Sequence, residues 1–131
     1  MMIAREPIIA IVDDDESVRR ALRRLVHSLS YKSVEFASGE ELLESFNGVE
    51  PLCVLMDLHL PGMKGLDVVV RMRSAGRAVP VIIITGFDQP GMYEKCLGAG
   101  AVGYLIKPLE RSVVASAIET AIGSARERGE S

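Results

Sequence analysis

The sequence predicts one α/β domain, built on a five-stranded parallel sheet with helices on both faces. Five short apolar segments alternate with five segments of helical periodicity, which is the pattern of repeated strand–helix–strand units. Two of the strands, at residues 8–12 and 52–56, are apolar at every position, so both of their faces must be covered. Right-handed crossover connections then place helices on the two sides of the sheet.

The elements follow from local patterns along the chain. Apolar or alternating runs bounded by turn residues predict strands at residues 8–12, 33–37, 52–56, 79–84 and 101–106. Apolar residues at helical spacing predict helices at residues 18–29, 66–73, 92–97 and 113–122. Ser38 and Glu41 form a capping box that starts the remaining helix, and Asn47-Gly48 is a typical helix end.

Length and composition limit the classes of function. The chain has 131 residues, of which 48% are hydrophobic, and a net charge of −3, so we expect one soluble domain without direct nucleic-acid binding. Its apolar runs are shorter than the ~18 residues of a membrane span, and no signal peptide is evident. The two cysteines, Cys53 and Cys96, do not make a disulfide framework, which favours reduced thiols and a cytoplasmic location.

Polar residues follow four of the five predicted strands. The first strand leads into Asp13-Asp14-Asp15, the third into Asp57, the fourth ends at Thr85 and the fifth leads into Lys107. Because the carboxyl ends of parallel strands share one edge of the sheet, these residues are expected in one crevice. Each motif alone is common in helix starts and turns, but their joint position at matching strand ends indicates a functional site.

The charges at this edge predict a metal ion. Carboxylates about 5 Å apart repel by ~3 kcal/mol at an effective dielectric of about 20, so three of them need cations beside them. Lys107 supplies one positive charge, and a divalent ion would supply two. Hard oxygen ligands without a His or Cys cluster favour Mg²⁺ (or Mn²⁺) over Zn²⁺. A carboxylate beside Mg²⁺, a lysine and a hydroxyl can accept a phosphoryl group.

Four motifs together resemble the receiver domain of bacterial two-component response regulators. They are IVDDDESVRRAL, MDLHLPGMKG, ITG at residues 84–86 and GYLIKP at residues 103–108. The segments FASGEELL and GAVGYLIKP are most similar to the FixJ type. The resemblance implies a flavodoxin-like, doubly wound (βα)5 three-layer sandwich with strand order 2-1-3-4-5.

The resemblance also implies roles for individual residues. Asp57 would be the phosphoacceptor, and a metal ion would be held by Asp13, Asp14, Asp57 and the backbone carbonyl of His59. Such a domain is a signalling phosphoacceptor rather than an enzyme with a separate substrate, with Mg²⁺-dependent self-phosphorylation and autodephosphorylation at Asp57.

Further positions match the family's switch. Thr85 would donate its hydroxyl to the phosphoryl group, Lys107 would pair with that group, and the peptide bond to Pro108 would be cis. Tyr104 stands at the family's aromatic switch position. Phosphorylation would then alter the surface of the fourth helix, fifth strand and fifth helix, through which the domain signals to an output domain, a partner or a second copy.

The departures from the family pattern are small. Asp15 stands where Glu is common, and Leu109 stands where Phe is frequent. His59 and Phe87 occupy variable positions that are implied to tune dephosphorylation, so they bear on the lifetime of the phosphorylated state.

The partner implied by the resemblance is a sensor histidine kinase or a phosphotransfer protein. It would dock near the first helix, whose polar face carries Arg19, Arg20, Arg23 and Arg24. An ordinary solvated face is the alternative interpretation of these arginines. The sequence divides into a receiver domain at residues 1–122 and a polar C-terminal tail or linker at residues 123–131.

Three other functions are compatible with a parallel sheet. A phosphorylation-independent pseudo-receiver would lack required polar residues, whereas this chain has all of them. A flavodoxin-like FMN binder needs a phosphate-cradling loop after the first strand, where three carboxylates stand here. A haloacid-dehalogenase-like phosphatase would need a second Asp two residues after Asp57, and that position is His59.

Overall fold

The computed structural model describes residues 7–46, 48 and 50–127. Strands and helices alternate strictly in these ranges, as predicted. The elements are β1 (Ile8–Val12), α1 (Glu16–Ser28), β2 (Lys32–Phe36), α2 (Gly39–Ser45), β3 (Cys53–Asp57), α3 (Gly65–Ser74), β4 (Val81–Thr85), α4 (Met92–Ala99), β5 (Gly103–Ile106) and α5 (Arg111–Glu127).

All five strands pair in parallel, in the order β2-β1-β3-β4-β5. This confirms the predicted α/β doubly wound architecture and its strand order. Asp57, the last residue of β3, stands opposite Ile84 on β4, and Thr85 stands opposite Ile106 on β5. The register therefore brings the ends of β3, β4 and β5 to nearly the same level.

The strand side chains alternate between two separate hydrophobic cores. On β1, Ile9 and Ile11 pack with the apolar faces of α1 and α5, whereas Ala10 and Val12 pack with α2, α3 and α4. β3 and β4 alternate in the same way, and every residue of these two strands is buried. The continuous apolar runs in the sequence are thus explained by a sheet that is covered on both faces.

Side-chain caps fix the starts of the first two helices. The Asp15 carboxylate accepts a hydrogen bond from the Ser17 N–H at 2.8 Å, and the Ser38 hydroxyl accepts one from the Glu41 N–H at 3.2 Å. Asp15, as the N-cap of α1, therefore remains in the loop between β1 and α1. The predicted end of α2 at Asn47-Gly48 involves Asn47, which lies outside the described residues.

The last helix extends beyond its predicted end at residue 122. α5 continues to Glu127, and Ala125 on its added turn is 4% exposed. The predicted polar tail or linker therefore begins with helical residues at 123–127: Gly123 does not end the helix, because buried Ala125 continues its apolar face. Residues 128–131 lie outside the described residues, and the division into a domain and a tail stays a prediction.

Gly65 at the start of α3 allows this helix to lie directly against the end of β3. A Cβ atom at Gly65 would lie 2.5 Å from the Asp57 backbone oxygen and 3.1 Å from the Leu58 Cα. The Gly65 N–H also donates to the Leu58 carbonyl at 3.1 Å. The absence of a side chain here allows the start of α3 to pack directly against the backbone that carries Asp57.

We expect Gly65→Ala to destabilise the fold by about 1–3 kcal/mol, because the added methyl group must displace backbone atoms rather than a flexible side chain. The measurement is the free energy of unfolding from urea titration. Gly98→Ala is the matched control: Gly98 lies within α4 with nothing within 4 Å of an added Cβ. That substitution should stabilise by about 0.5–1 kcal/mol, and equal effects of both changes would contradict the close approach at Gly65.

Candidate functional site

The candidate site lies at the carboxyl edge of the sheet. Asp13 follows β1, Asp57 ends β3, Thr85 ends β4 and Lys107 follows β5. The chain leaves β1 toward β2 on one side and returns to β3 on the other, so the strand order reverses beside β1. A crevice at such a reversal is where open parallel sheets bind ligands.

Three carboxylates converge in this crevice. Asp13, Asp14 and Asp57 each offer one carboxylate oxygen, and these oxygens lie within 4.8 Å of one another. Asp13 is 3% exposed and Asp57 is 8% exposed, whereas Asp14 faces solvent. Burial raises the pKa of the Asp13 carboxyl, and the neighbouring Asp57 and Asp14 add to this rise. The cluster therefore concentrates negative charge on two buried carboxylates and one exposed carboxylate.

Nearby donors offset part of this charge. The Asp15 N–H donates to Asp13 Oδ1 at 2.9 Å, and the His59 N–H donates to Asp57 Oδ1 at 3.3 Å. The Lys107 ammonium lies 3.5 Å from Asp13 Oδ2. Both the Asp15 hydrogen bond and Lys107 lower the pKa of Asp13, against the larger effect of burial.

The donor set suits a hard divalent cation. The clustered groups are carboxylate oxygens, without a His or Cys among them, and the backbone around His59 turns next to Asp57. Oxygen ligands of this kind are those that Mg²⁺ takes in proteins. The residues present therefore fit the predicted metal ion, since one ammonium faces three carboxylates.

Thr85 lies beside the cluster with its hydroxyl already hydrogen-bonded. Its side chain is fully buried; Oγ1 donates to the Phe87 carbonyl at 2.9 Å and accepts from the Phe87 N–H at 3.1 Å. Phe87 itself is 65% exposed, and His59 also faces solvent. The peptide bond between Lys107 and Pro108 is cis.

Tyr104 is not part of the carboxylate cluster. Its hydroxyl donates to Asp88 Oδ1 at 2.7 Å, and its ring meets the Tyr93 ring edge-on at a centroid distance of 5.8 Å. Burial and this hydrogen bond to Asp88 raise the pKa of Tyr104 to about 12. Tyr104 thus connects β5 to the start of α4 rather than to Asp57.

The arginines of α1 do not form a uniform solvated face. Arg19 and Arg23 both pair with Glu35 on β2, at 3.5 and 2.7 Å, and Arg20 pairs with Glu16 at 3.6 Å. Sequence patterns did not predict the pairs with Glu35, because they depend on the approach of α1 to β2. The only hint in the sequence is a single charged residue within the otherwise uncharged segment 33–37.

Comparisons with known proteins identify the family of this chain. A family model described as "Response regulator receiver domain" matches residues 9–119. The chain belongs to the response regulator receiver domain family. This membership indicates a role in two-component signalling, in which receiver domains interact with histidine kinases. The chain is therefore not assigned to a family of flavodoxin-like FMN binders or of haloacid-dehalogenase-like phosphatases.

Characterised relatives include members of the FixJ type. The response regulator protein TodT of Pseudomonas putida is 34% identical over 121 residues, which is 92% of this chain and 53% of that protein. The transcriptional regulatory protein FixJ of Bradyrhizobium diazoefficiens is 30% identical over 117 residues, 89% of this chain and 57% of FixJ. The chain thus spans little more than half the length of these relatives.

Solved structures show the same fold. The crystal structure of FixJ-N superposes with a TM-score of 0.83 and 30% identity, over 93% of this chain and 96% of that one. The response regulator StyR gives a TM-score of 0.82 and 29% identity, over 94% of this chain and 62% of StyR. The receiver fold and its FixJ type are therefore confirmed. Within the described ranges of the receiver domain, no helix is long and apolar enough to span a membrane.

We expect Mg²⁺ to raise the melting temperature of the receiver domain, because an ion that binds the native cluster stabilises it by mass action, by about 2.7 kcal/mol at 100 times the Kd. Asp14→Asn should abolish most of this increase in a thermal unfolding measurement. Asp15→Asn is the matched control, because it removes one charge from the same loop outside the cluster and preserves a helix cap. An unchanged increase in Asp14→Asn would place the metal elsewhere.

Proposed function

We propose that this chain is the phosphoacceptor domain of a two-component system, in which Asp57 takes a phosphoryl group from a sensor histidine kinase or a phosphotransfer protein. The observation that carries this proposal is the convergence of three carboxylate oxygens within 4.8 Å, with the Lys107 ammonium 3.5 Å from Asp13. Such a concentration of negative charge is costly for the fold. A divalent cation bound to these carboxylates would offset that cost and would in turn attract the negatively charged phosphoryl group.

The chemistry follows from the position of Asp57. Its carboxylate oxygen forms the new bond to phosphorus, and the bond from phosphorus to the donor breaks; with acetyl phosphate the leaving group is acetate. Mg²⁺ (or Mn²⁺) held by Asp13, Asp14, Asp57 and the His59 carbonyl would supply two positive charges close to the phosphoryl oxygens. Lys107 supplies a third charge from the chain itself, so the acyl phosphate forms in a prearranged electrostatic field.

The chain has no separate substrate in this proposal: it phosphorylates itself and returns to its resting state by autodephosphorylation. The exposed side chains of His59 and Phe87 stand beside the Asp57 and Thr85 strand ends, where water must approach the acyl phosphate. These two side chains therefore tune the lifetime of the phosphorylated state by limiting or admitting water.

Acetyl phosphate with Mg²⁺ should add one phosphoryl group to the intact protein, as measured by mass spectrometry. Asp57→Asn should remove the modification completely, because the amide is not a nucleophile for phosphorus. Asp67→Asn, at an exposed position in the first turn of α3, is the matched control and should be labelled like the wild type. Labelling of Asp57→Asn would refute the assignment; an unlabelled wild type that still binds Mg²⁺ would indicate a phosphorylation-independent module.

The switch proceeds from Thr85. A phosphoryl group adds about two negative charges and strong acceptor oxygens next to the Thr85 hydroxyl. That hydroxyl must leave the Phe87 carbonyl in order to donate to the phosphoryl group. The loop from Thr85 to Asp88 then loses its local hydrogen bonds. Tyr104 consequently loses its hydrogen bond to Asp88, which holds the tyrosine outward. Tyr104 is thereby released to turn inward.

The surface that this switch changes is partly apolar. Tyr93 and Leu97 on α4, Ile106 on β5 and Val113 on α5 are large hydrophobic residues that are 37–49% exposed. Contiguous exposed apolar patches are typical of protein-binding surfaces. We therefore assign the α4–β5–α5 face to a homodimer, an output domain or another protein partner.

The kinase or phosphotransfer protein would dock beside α1. An open groove of about 370 Å³ lies between α1 and the segment after β5, and its apolar lining includes Val18, Leu22, Pro108 and Leu109. Ser17 and Lys107 line the same groove, so an occupant would be next to the acidic cluster. Arg20 and Arg24 are exposed on the same helix, α1. The chain would act in the cytoplasm with its kinase, without membrane insertion and without direct nucleic-acid binding.

A beryllofluoride mimic of the phosphoryl group should shift backbone amide signals beyond the immediate neighbours of Asp57, at Phe87, Tyr104 and α4. The physical reason is the exchange of the Thr85 hydroxyl from Phe87 to the mimic. Thr85→Val, which keeps the branched shape but lacks the hydroxyl, should confine the shifts to the surroundings of Asp57. Wild-type shifts that never reach Tyr104 would contradict the switch.

A further inference from the structure

The backbone of Asp13 is held from two sides. Its N–H donates to the Phe36 carbonyl on β2 at 3.1 Å, as the last rung between β1 and β2. Its carbonyl accepts a hydrogen bond of 2.7 Å from Arg19 Nη1. The first contact is an ordinary extension of the sheet. The second is a hydrogen bond from a charged side chain to the peptide group between Asp13 and Asp14, which carry two of the three clustered carboxylates.

Helix geometry explains why Arg19 can make this contact. Arg19 lies in the first turn of α1, and its N–H donates to the Asp15 carbonyl at 3.0 Å. Side chains in an α-helix point back toward its N-terminus, so a long residue here covers the loop that precedes the helix. Arg20 is rotated away on the helix and pairs with Glu16 instead.

Glu35 in turn holds the guanidinium of Arg19. Arg19 Nε lies 3.5 Å from Glu35 Oε1, while Arg23 donates to Glu35 Oε2 at 2.7 Å. Glu35 belongs to β2 and stands opposite Ile11 of β1, so its backbone is fixed by the sheet. The Arg19 side chain is 17% exposed and that of Glu35 is 24% exposed, which limits screening of this pair by solvent.

We propose that Arg19 is a positioning residue for the acidic cluster, and that Glu35 holds it in place. The peptide group is planar, so fixing the direction of the Asp13 carbonyl also fixes the Asp14 N–H and the starting direction of the Asp14 backbone. Arg19 therefore orients the two acidic side chains that lie on either side of this peptide. The expected effect on metal binding rests on the proposed function, whereas the expected effect on the metal-free loop after β1 does not.

Charge and positioning predict opposite effects on metal affinity. Arg19 carries a positive charge beside a cation site. If electrostatic repulsion were the only effect, removal of this charge should strengthen the binding of a divalent cation. Loss of a contact that orients a ligand-bearing backbone should weaken binding instead, by about tenfold if it resembles other contacts behind metal ligands. The sign of the change in affinity therefore separates the two effects.

The first experiment measures the Kd for Mn²⁺ from the electron paramagnetic resonance signal of the free ion. Arg19→Met should weaken binding by about tenfold. Arg20→Met is the matched control, since it removes the same charge from the next residue without touching the loop, and it should leave Kd unchanged or slightly lower. Equal or tighter binding by Arg19→Met than by the wild type would overturn the proposal.

The second experiment needs no metal. The ¹⁵N signal of the Asp14 amide in the apo protein should move in Arg19→Met, because it shares its peptide group with the Asp13 carbonyl. Glu35→Gln should move the same signal in the same direction by a smaller amount, and it keeps the test valid if Arg19→Met folds poorly. Arg20→Met should not move it. An unmoved Asp14 signal in the first two variants would overturn the proposal, whereas a wild type that binds no Mn²⁺ would refute only the metal site.

Discussion

Mutual repulsion among three carboxylates is the constraint on which the organisation of this domain depends. Asp13 and Asp57 are almost fully buried, and their charges are brought close together by adjacent strands. The compensating groups come from separate parts of the chain: the Lys107 ammonium after β5 and N–H groups in the loops after β1 and β3. The sheet thus keeps together charges that would separate in an unfolded chain.

Close backbone packing is the means by which the fold holds these charges in place. Gly65 allows the start of α3 to pack against the Asp57 carbonyl, and Arg19 donates a hydrogen bond to the carbonyl of Asp13. Both contacts act on the main chain rather than on the carboxylates. The backbone that carries the clustered carboxylates is in this way held in place by close packing and by a hydrogen bond.

Much of the fold and site could be predicted from local patterns. Apolar runs that end in Asp57 and in Asp13-Asp14 identify buried strands and their polar ends, because strands covered on both faces must be apolar and their carboxyl ends share one edge of the sheet. The end of α5 could not be predicted in the same way. Gly123 and the polar residues after it indicate a helix end, but the burial of Ala125 against the rest of the domain outweighs that local preference.

The sequence by itself determined the strand–helix alternation, the residues at the carboxyl edge and the resemblance to receiver domains, since each depends on neighbours along the chain. Only the tertiary structure decided which side chains and backbone groups from different elements contact one another. Arg19 belongs by sequence to a polar helix face, yet its guanidinium contacts Glu35 and the Asp13 carbonyl. Tyr104 lies near Lys107 in the sequence, yet its hydroxyl contacts Asp88. Such contacts depend on how helices and strands approach one another, and no periodicity within a single segment encodes that distance.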